Sequence, residues 1–299
     1  MRYRQPKTVL TLWEAEQRAN PQTNAAQFAL RLNMPLTVFN AKLEAGRRER
    51  DITGKLDFSL GQPLHLEGDA MIVGDIHCPF TDYEWAVKVS QVAKKHLKKP
   101  RRLVIAGDFF NMDAFSTYAH LTNLPTWAQE REAAKGLLHE WLDAFSEITM
   151  IMGNHDRRLQ KFTGGAFDET DIISLVLSNP NLVKASNFGW CVVESGTQTY
   201  RITHPKNYSV NQLNVAEAIA LKFGQNVISF HEHHLSIGWD RYKRYLIVNG
   251  GSLVDPDKLA YARLDDSKSA GMAKGFVMLK NGTPYVFGEE PFTDWERWL

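Results

Sequence analysis

The chain has 299 residues, of which 43% are hydrophobic and 11% are aromatic, and this is enough to bury a sizeable core in one large domain or two smaller ones. Its formal net charge of +1 gives no global reason to expect a polyanionic partner. Cys78 and Cys191 are too few for a disulfide framework and too far apart for a Cys-x-x-Cys zinc site. No apolar run approaches the roughly 20 residues that span a bilayer, and the first residues lack the apolar core of a signal peptide. We therefore expect a cytoplasmic protein.

The first 50 residues differ from the rest of the chain, because their pattern is helical and rich in basic side chains. Within them, residues 23–46 resemble a helix-turn-helix, and Asn33 falls where the tight turn needs a left-handed backbone. Thr37 is expected to cap the second helix, and Gly46 is expected to end it. The candidate nucleic-acid contacts are Lys42, Arg47 and Arg48.

A different interpretation of this N-terminal segment is a helical appendage that serves oligomerisation or covers a binding site. A charged, turn-rich passage follows it and reads as a linker or an extended arm. The predicted organisation is therefore a helical region at residues 1–50, a linker at 51–68 and an α/β domain at 69–299.

Short apolar strands alternate with helical segments in the α/β domain. The first strands are AMIV at 70–73, RLVIA at 102–106 and ITMIM at 148–152, with helical patterns at 83–99 and 127–145. This order predicts a mostly parallel sheet covered by helices, and the denser strands beyond residue 188 predict a second sheet packed on the first. We therefore predict an α/β fold, a four-layer sandwich of two mixed sheets flanked by helices, with a small helical N-terminal region.

Polar side chains follow the predicted strands at the points where those strands end. The candidates are Asp75, His77, Asp108, Asn154, His155, Asp156, His204, His231 and His233. Taken one at a time, each of these residues has an ordinary explanation as a cap, a turn residue or a core residue. Ligand-binding loops meet at the carboxyl ends of strands in open α/β sheets, so we expect these side chains to lie together. Carboxylate, imidazole and amide ligands suit first-row divalent metals.

The same motifs resemble those of the calcineurin-like metallophosphoesterases. That family's pattern is Asp-x-His, Gly-Asp, Gly-Asn-His-Asp or Glu, a lone His, and Gly-His-x-His. This chain supplies, in the same order, GDIH at 74–77, GD at 107–108, GNHD at 153–156, TH at 203–204 and FHEH at 230–233.

The resemblance implies a centre of two divalent metal ions and a role for each matching residue. One ion would be held by Asp75, His77 and His233; the other by Asn154, His204 and His231; and Asp108 would bridge them. A hydroxide between the ions would attack the phosphorus atom.

Further roles follow for the residues of the GNHD motif and the arginines behind it. His155 would act on the leaving group as a general acid or would stabilise charge in the transition state. Asp156 would orient His155 or a metal ligand. Arg157 is expected to bind the substrate phosphate, whereas Arg158 is either a second phosphate contact or a solvated residue that opens a helix.

Two positions depart from the family pattern. Phe230 stands where the family usually has glycine, which questions the backbone geometry of that loop. Asn111 stands where many members have a carboxylate, with Asp113 two residues further on. Manganese is the first expectation for the metal because it suits oxygen-rich sites, and iron, zinc and nickel stay open.

The family hydrolyses phosphate monoesters, diesters and pyrophosphates, so the resemblance does not name the substrate. The motifs GDFFNMD and GNHD differ from those of protein Ser/Thr phosphatases, which disfavours that activity. The basic N-terminal helices and the basic run at 94–102 favour a phosphodiesterase or nuclease acting on DNA, RNA or nucleotides. The alternatives are a phosphomonoesterase or nucleotide pyrophosphatase and, in another class, a nucleic-acid-binding module with a vestigial metal site.

Overall fold

A computed structural model describes residues 9–53, 62–116, 124–259 and 271–299. The chain forms two compact units, Met1–Gly61 and Gln62–Leu299, which are described separately below. No helix in the described ranges combines the length and the apolarity that a membrane crossing requires.

Within residues 9–53, the first unit contains three helices around a small aromatic core. They are α1 (Val9–Ala19), α2 (Ala25–Arg31) and α3 (Leu36–Thr53). The ring centroids of Trp13, Phe28 and Phe39 lie 5.5 to 6.0 Å apart, in the tilted and edge-on arrangements that aromatic pairs prefer. α2 begins with a capping box in which the Asn24 side chain accepts a hydrogen bond from the backbone N–H of Gln27, as its sequence favours.

The turn of this unit follows the sequence prediction, but the helix ends do not. Asn33 has φ of 52°, the left-handed turn conformation expected of it. Thr37 does not cap the second helix, because α3 begins one residue earlier, at Leu36. Gly46 lies inside α3, where a Cβ would stand 3.1 Å from the Cβ of Leu10. Its small size serves the close packing of α1 on α3, and so the glycine does not mark a helix end.

The residues placed in the linker belong partly to regular structure. α3 covers residues 51–53, and His65–Glu67 form strand β1; residues 54–61 lie outside the described ranges. The candidate nucleic-acid contacts Lys42, Arg47 and Arg48 are exposed on α3. Arg48 pairs with Glu44 one turn away.

The described residues of the second unit form two six-stranded mixed sheets, and this confirms the predicted fold class. The remaining strands are β2 (Ala70–Val73), β3 (Arg102–Ala106), β4 (Glu147–Ile151), β5 (Val183–Ser186), β6 (Trp190–Ser195), β7 (Gln198–Thr203), β8 (Asn226–Ser229), β9 (Leu235–Trp239), β10 (Leu246–Gly250), β11 (Phe276–Lys280) and β12 (Thr283–Phe287). One sheet has the order β12-β11-β2-β3-β4-β5, and the other has the order β1-β6-β7-β8-β10-β9. In the first sheet β2, β3, β4 and β5 are parallel, as the alternation of strands and helices predicts.

Helices cover the outer faces of both sheets. They are α4 (Tyr83–His96), α5 (Trp127–Ala144), α6 (Arg158–Phe162), α7 (Glu169–Ser174), α8 (Asn214–Phe223) and α9 (Trp295–Trp298). Trp85 and Trp141 on α4 and α5 pack against side chains of the first sheet such as Leu103. Ile72 and Ile228 belong to a second apolar layer, which lies between the two sheets.

Alternate residues of one strand therefore enter two different cores, as strand geometry requires. Met71 of β2 belongs to the layer beneath the helices, and its neighbour Ile72 belongs to the layer between the sheets. Strands buried on both faces have continuous apolar sequences, which explains runs such as AMIV and RLVIA.

Glu130 of α5 is a buried carboxyl, with only 2% of its surface exposed. It accepts a hydrogen bond of 2.7 Å from the backbone N–H of Met112, which ties α5 to the loop after β3. Burial, reinforced by the negative charge of Asp113, raises the pKa of Glu130 to about 8. The folded protein therefore holds a proton on Glu130 at pH values where the unfolded chain has released it.

We expect this proton to make folding stability depend on pH. Because the pKa is higher in the folded state, the contribution of Glu130 is fully present below about pH 4.5 and is lost as pH rises towards 8, by at most about 1.4 kcal/mol per pH unit. Glu130→Gln keeps an acceptor oxygen and removes the titration. Urea unfolding at pH 5 and pH 8 should show a smaller loss of stability in this variant than in the parent. Equal losses in the two proteins would contradict the assignment.

Candidate metal centre

The candidate ligands come from five strand ends that meet at one edge of the sandwich. Asp75 follows β2, Asp108 follows β3, and Asn154 to Asp156 follow β4 in the first sheet. His204 follows β7, while His231 and His233 follow β8 in the second sheet. The parallel pairing of β2, β3 and β4, and of β7 and β8, brings their carboxyl ends together.

The backbone of this edge is strained at the candidate ligands. The residues with positive φ values, between 50° and 84°, are Asp75, His77, Asp108, His231 and His233. Non-glycine residues seldom adopt this conformation, and each instance costs roughly 1–3 kcal/mol that the surrounding structure must offset. Such clustered strain at polar residues is typical of functional sites, where the unusual backbone conformation sets the direction of the side chains.

One group of side chains comprises Asp75, His77 and His233, which place possible ligand atoms within 4.8 Å of one another. The Asp75 Oδ1 atom lies 3.4 Å from His233 Nε2 and 4.0 Å from His77 Nε2. Asp75 Oδ1 and His77 Nε2 are buried with no hydrogen-bond partner. Buried polar atoms are normally satisfied, so these two atoms are available to a cation.

A second group comprises Asp108, His204 and His231, again with ligand atoms within 4.8 Å. His204 Nε2 lies 3.2 Å from Asp108 Oδ2 and 3.1 Å from Asn154 Oδ1. Asp108 Oδ2 also lies 3.9 Å from His77 Nε2 of the first group. Asp108 therefore stands between the two groups, at the place that the sequence motifs predict for a bridging carboxylate.

Two histidines direct their Nε2 atoms towards the centre because their Nδ1 atoms are held by hydrogen bonds. His77 Nδ1 lies 3.2 Å from Asn111 Oδ1, and His204 Nδ1 lies 3.0 Å from the carbonyl oxygen of Ala106. Each oxygen accepts the Nδ1 proton, so Nε2 is the ring nitrogen that faces the carboxylates. This is the usual way in which proteins prepare a histidine for a metal.

The electrostatics of the edge favour positive charge. Burial alone would lower the pKa of His204, but the carboxylates of Asp108 and Asp75 outweigh it and raise that pKa to about 9. Burial would likewise raise the pKa of Asp108, but His204 and neighbouring imidazoles hold it well below its usual range. The residues therefore fit divalent cations, because their carboxylates stay ionised and a bound cation would replace the proton on His204.

His155 is held in place by both its backbone and its ring. Its N–H donates a hydrogen bond of 2.8 Å to Asp108 Oδ1, and its Nδ1 lies 2.9 Å from the carbonyl oxygen of Asn111. Its ring centroid is 4.6 Å from that of His77. With His77 and Asp108 it also forms a third group of atoms able to hold a metal, an arrangement that the sequence motifs do not indicate.

Of the two arginines after the GNHD motif, Arg158 lies beside the centre and Arg157 points away from it. Arg157 donates hydrogen bonds to the side chain and the carbonyl oxygen of Asn187, in the loop after β5. Arg158 Nη2 lies 3.2 Å from His155 Nε2, and its Nη1 pairs with Asp113 at 2.6 Å. Arg158 lies beside the centre because it is the first residue of α6 and leans back over the preceding turn.

Asp156 does not orient the ring of His155, as the sequence interpretation allows. Its carboxylate is fully buried and accepts hydrogen bonds from three backbone N–H groups, those of Asp108, Phe110 and Gly153, at 2.8 to 3.0 Å. Burial, with the nearby charge of Asp108, raises its pKa to about 7. Asp156 therefore joins the loops after β3 and β4 and fixes the backbone on which Asp108 and Asn154 stand.

Phe230 fits this loop because two glycines face its ring. A Cβ at Gly250 would lie 2.3 Å from the Phe230 ring, and a Cβ at Gly74 would lie 2.6 Å from it. Phe230 itself is 1% exposed and joins the layer between the sheets. The departure from the family's usual glycine is thus accommodated by neighbouring glycines, and the adjacent histidines still reach the centre.

Three positions at this edge acquire roles that the motifs do not reveal. Asn111, in place of the family's usual carboxylate, holds both His77 and His155. Glu232, between the two histidines of the FHEH motif, is buried and accepts a hydrogen bond of 2.9 Å from the N–H of Ser209. Tyr208 lies beside His231 with ring centroids 6.5 Å apart. Only the departure at Asn111 gives a signal in the sequence.

An α/β sandwich that gathers carboxylates and imidazoles at the carboxyl ends of its strands defines a class of hydrolases that act on phosphoester bonds with the help of divalent metal ions. The family model for the calcineurin-like phosphoesterases matches residues 70–295, and the chain belongs to this family. This match confirms the resemblance that the motifs indicate. Members of the family use divalent metal ions.

Comparison with solved structures gives similar folds at low sequence identity. Vps29 from Chaetomium thermophilum is 13% identical with a TM-score of 0.42, over 75% of this chain and 93% of that chain. A hypothetical protein from Pyrococcus horikoshii is 11% identical with a TM-score of 0.45, over 74% and 87%. A predicted phosphoesterase from Streptococcus pneumoniae is 14% identical with a TM-score of 0.32, over 74% and 98%. A sequence search among curated proteins finds no match.

Proposed function

We propose that the unit Gln62–Leu299 is a phosphodiesterase that uses two divalent ions and acts on nucleic acid or nucleotides. The observation that carries the proposal is the pair of ligand groups that meet at Asp108. In this proposal Asp75, His77 and His233 would hold one ion, Asn154, His204 and His231 would hold the other, and Asp108 would serve both. Manganese suits this mixture of oxygen and imidazole ligands, and iron, zinc and nickel are the alternatives.

Bound divalent ions supply an acidified water and stabilise the charge that develops on phosphoryl oxygens. The protein's own groups orient the substrate. Arg158 presents a guanidinium beside His155, where a phosphate oxygen can accept its hydrogen bonds. His155 keeps its ring in a fixed direction through the carbonyl of Asn111 and faces the same space. Both residues then act on the phosphoryl and leaving-group oxygens of a bound ester.

The charge of the site favours a diester over a monoester. A diester carries one negative charge, whereas a monoester carries nearly two at neutral pH. Arg158 is already paired with Asp113, and Arg157 is tied to Asn187. Asp113 offsets the charge of Arg158 while leaving its Nη2 free to donate, so this guanidinium adds modest positive charge beyond that of the ions, which is matched to a monoanionic phosphate.

Side-by-side hydrolysis of bis-p-nitrophenyl phosphate and p-nitrophenyl phosphate tests this proposal, with chelator-stripped protein reloaded with manganese. A higher kcat/KM for the diester is the expected result. A higher kcat/KM for the monoester would replace the proposal with a phosphomonoesterase, for which the same ligands would serve. No hydrolysis of either ester would contradict the activity itself.

Arg158→Ala is expected to lower kcat/KM for the diester by roughly 10- to 100-fold, because a charge-assisted hydrogen bond to phosphate contributes about 1.5–3 kcal/mol. Arg157→Ala is the matched control, since its guanidinium points to Asn187, and it should change kcat/KM by less than about 3-fold. Steady-state kinetics of the two variants measure the difference. A larger loss in Arg157→Ala would restore the role that the sequence assigns to Arg157.

We further propose that the helical unit before residue 62 binds the nucleic-acid backbone. Its support is that Lys42, Arg47 and Arg48 are all exposed on α3. Binding of fluorescein-labelled duplex DNA should weaken steeply with salt and should weaken again in a Lys42→Ala, Arg47→Ala double variant. Unchanged binding in that variant would favour a helical appendage that serves assembly.

A further inference from the structure

Two exposed aromatic side chains lie on segments that also carry residues of the candidate metal centre. Tyr208 is 48% exposed and belongs to the loop after His204, while Phe162 is 70% exposed and belongs to α6, the helix that begins with Arg158. Scattered exposed aromatics are ordinary on protein surfaces. These two differ because Tyr208 contacts His231 and Phe162 lies one helical turn after Arg158, which contacts His155.

Tyr208 is held against the centre by a short chain of hydrogen bonds. Its ring meets that of His231 edge-on, with centroids 6.5 Å apart. The N–H of the following residue, Ser209, donates to Glu232 Oε1 at 2.9 Å, and Asn249 Nδ2 donates to Glu232 Oε2 at 3.1 Å. Because Glu232 lies between two candidate ligands, the loop that carries Tyr208 is fixed relative to the metal centre.

Phe162 is fixed on the other side by helix geometry. It lies four residues after Arg158 on α6, and residues four apart lie on the same face of a helix. Its ring packs on Phe115 with centroids 5.5 Å apart. The exposed ring is thus one helical turn beyond the guanidinium that contacts His155.

Exposed lysines lie close in sequence to both aromatic residues. Lys206 is exposed two residues before Tyr208, and Lys161 is exposed immediately before Phe162. Aromatic rings beside a cationic track are the features with which proteins bind single-stranded nucleic acid, because bases stack on the rings while cations contact phosphates. His231 and His155 belong to different groups of possible ligand atoms, so the two rings stand beside different parts of the centre.

We propose that Tyr208 and Phe162 are stacking platforms for the two bases that flank the scissile phosphodiester. The substrate class is then a single-stranded oligonucleotide or dinucleotide, and this assignment rests on the proposed phosphodiesterase function. Because His155 and Arg158 stand on the leaving-group side, Phe162 receives the leaving group and Tyr208 receives the group that is retained.

Two esters with the same leaving group separate the platforms. Thymidine 5′-(p-nitrophenyl phosphate) and methyl p-nitrophenyl phosphate both release p-nitrophenolate, and only the first retains a base. Tyr208→Ala should lower kcat/KM for the thymidine ester by about 10-fold and leave the methyl ester within about 2-fold. Tyr208→Phe keeps the ring and should retain the parent's value for both esters.

Phe162→Ala should lower kcat/KM for both esters, since both place a nitrophenyl ring on that side. Tyr285→Ala, which removes an exposed ring of β12, serves as the control and should change neither. Equal loss for both esters in Tyr208→Ala, or no loss for either, would overturn the assignment of Tyr208.

A binding measurement keeps the inference apart from the activity on which it rests. Binding of a fluorescein-labelled thymidine dinucleotide is measured by fluorescence anisotropy on protein stripped of metal with a chelator. It should be about 10-fold weaker in Tyr208→Ala and in Phe162→Ala than in the parent. Normal binding in both variants would overturn the stacking inference even if bis-p-nitrophenyl phosphate is hydrolysed. Weakened binding without hydrolysis of any ester would keep the platforms and contradict the phosphodiesterase.

Discussion

Asp108→Ala is expected to lower phosphodiester hydrolysis by more than about 1,000-fold. Asp108 Oδ2 lies 3.2 Å from His204 Nε2 and 3.9 Å from His77 Nε2, so it contacts a histidine of each ligand group. Its removal takes a carboxylate from each proposed ion and leaves two imidazoles without their anionic neighbour. Metal content measured by plasma emission should fall in parallel with kcat.

The control for this variant is a carboxylate of similar size that lies away from the centre. Asp168 caps the N-terminus of α7, and Asp168→Ala should cost about 1 kcal/mol of stability while turnover stays normal. Circular dichroism would show that both variants remain folded. Normal turnover in Asp108→Ala, purified free of contaminating hydrolase, would refute the role proposed for this residue.

His155→Ala is expected to lower kcat by roughly 100- to 10,000-fold, the range typical of a group that transfers or stabilises a proton in the transition state. Its ring is fixed by Asn111 and Arg158, and the proposed ligand sets do not need it. The variant should therefore bind two ions per chain, as the parent does, and lose rate without losing metal. Combined kinetics and metal analysis measure the two effects separately.

The geometry also gives the result that would reassign His155. His77, Asp108 and His155 place ligand atoms within 4.8 Å of one another. Loss of one ion in His155→Ala would make the histidine a ligand. A kcat close to that of the parent, with two ions retained, would leave Arg158 as the residue that acts on the leaving group.

The meeting of the candidate ligands at one edge could be predicted from the sequence, because it follows from the order and direction of the strands. Parallel strands that end in Gly-Asp or Gly-Asn must bring those residues to one edge, and the strand pattern of AMIV, RLVIA and ITMIM is clear. The predicted two-sheet sandwich is confirmed for the same reason. The ligand assignments themselves stay proposals, although the structure brings all of the predicted side chains to this edge.

The details that the sequence did not predict depend on packing between distant segments. Adjacent arginines have the same local pattern, so the pattern could not show that Arg157 bonds to Asn187 while Arg158 turns towards His155. Asp156 finds its three N–H donors in two separate loops. Gly46 resembles a helix end, and only its contact with Leu10 explains its place inside α3.

Titration of chelator-stripped protein with manganese, with hydrolysis of bis-p-nitrophenyl phosphate and bound metal recorded at each addition, tests the two-ion centre most directly. We predict no turnover before metal is added and full turnover once two ions are bound per chain, with no comparable recovery in Asp108→Ala. Turnover that survives complete removal of metal, or that saturates with a single bound ion, would contradict this account.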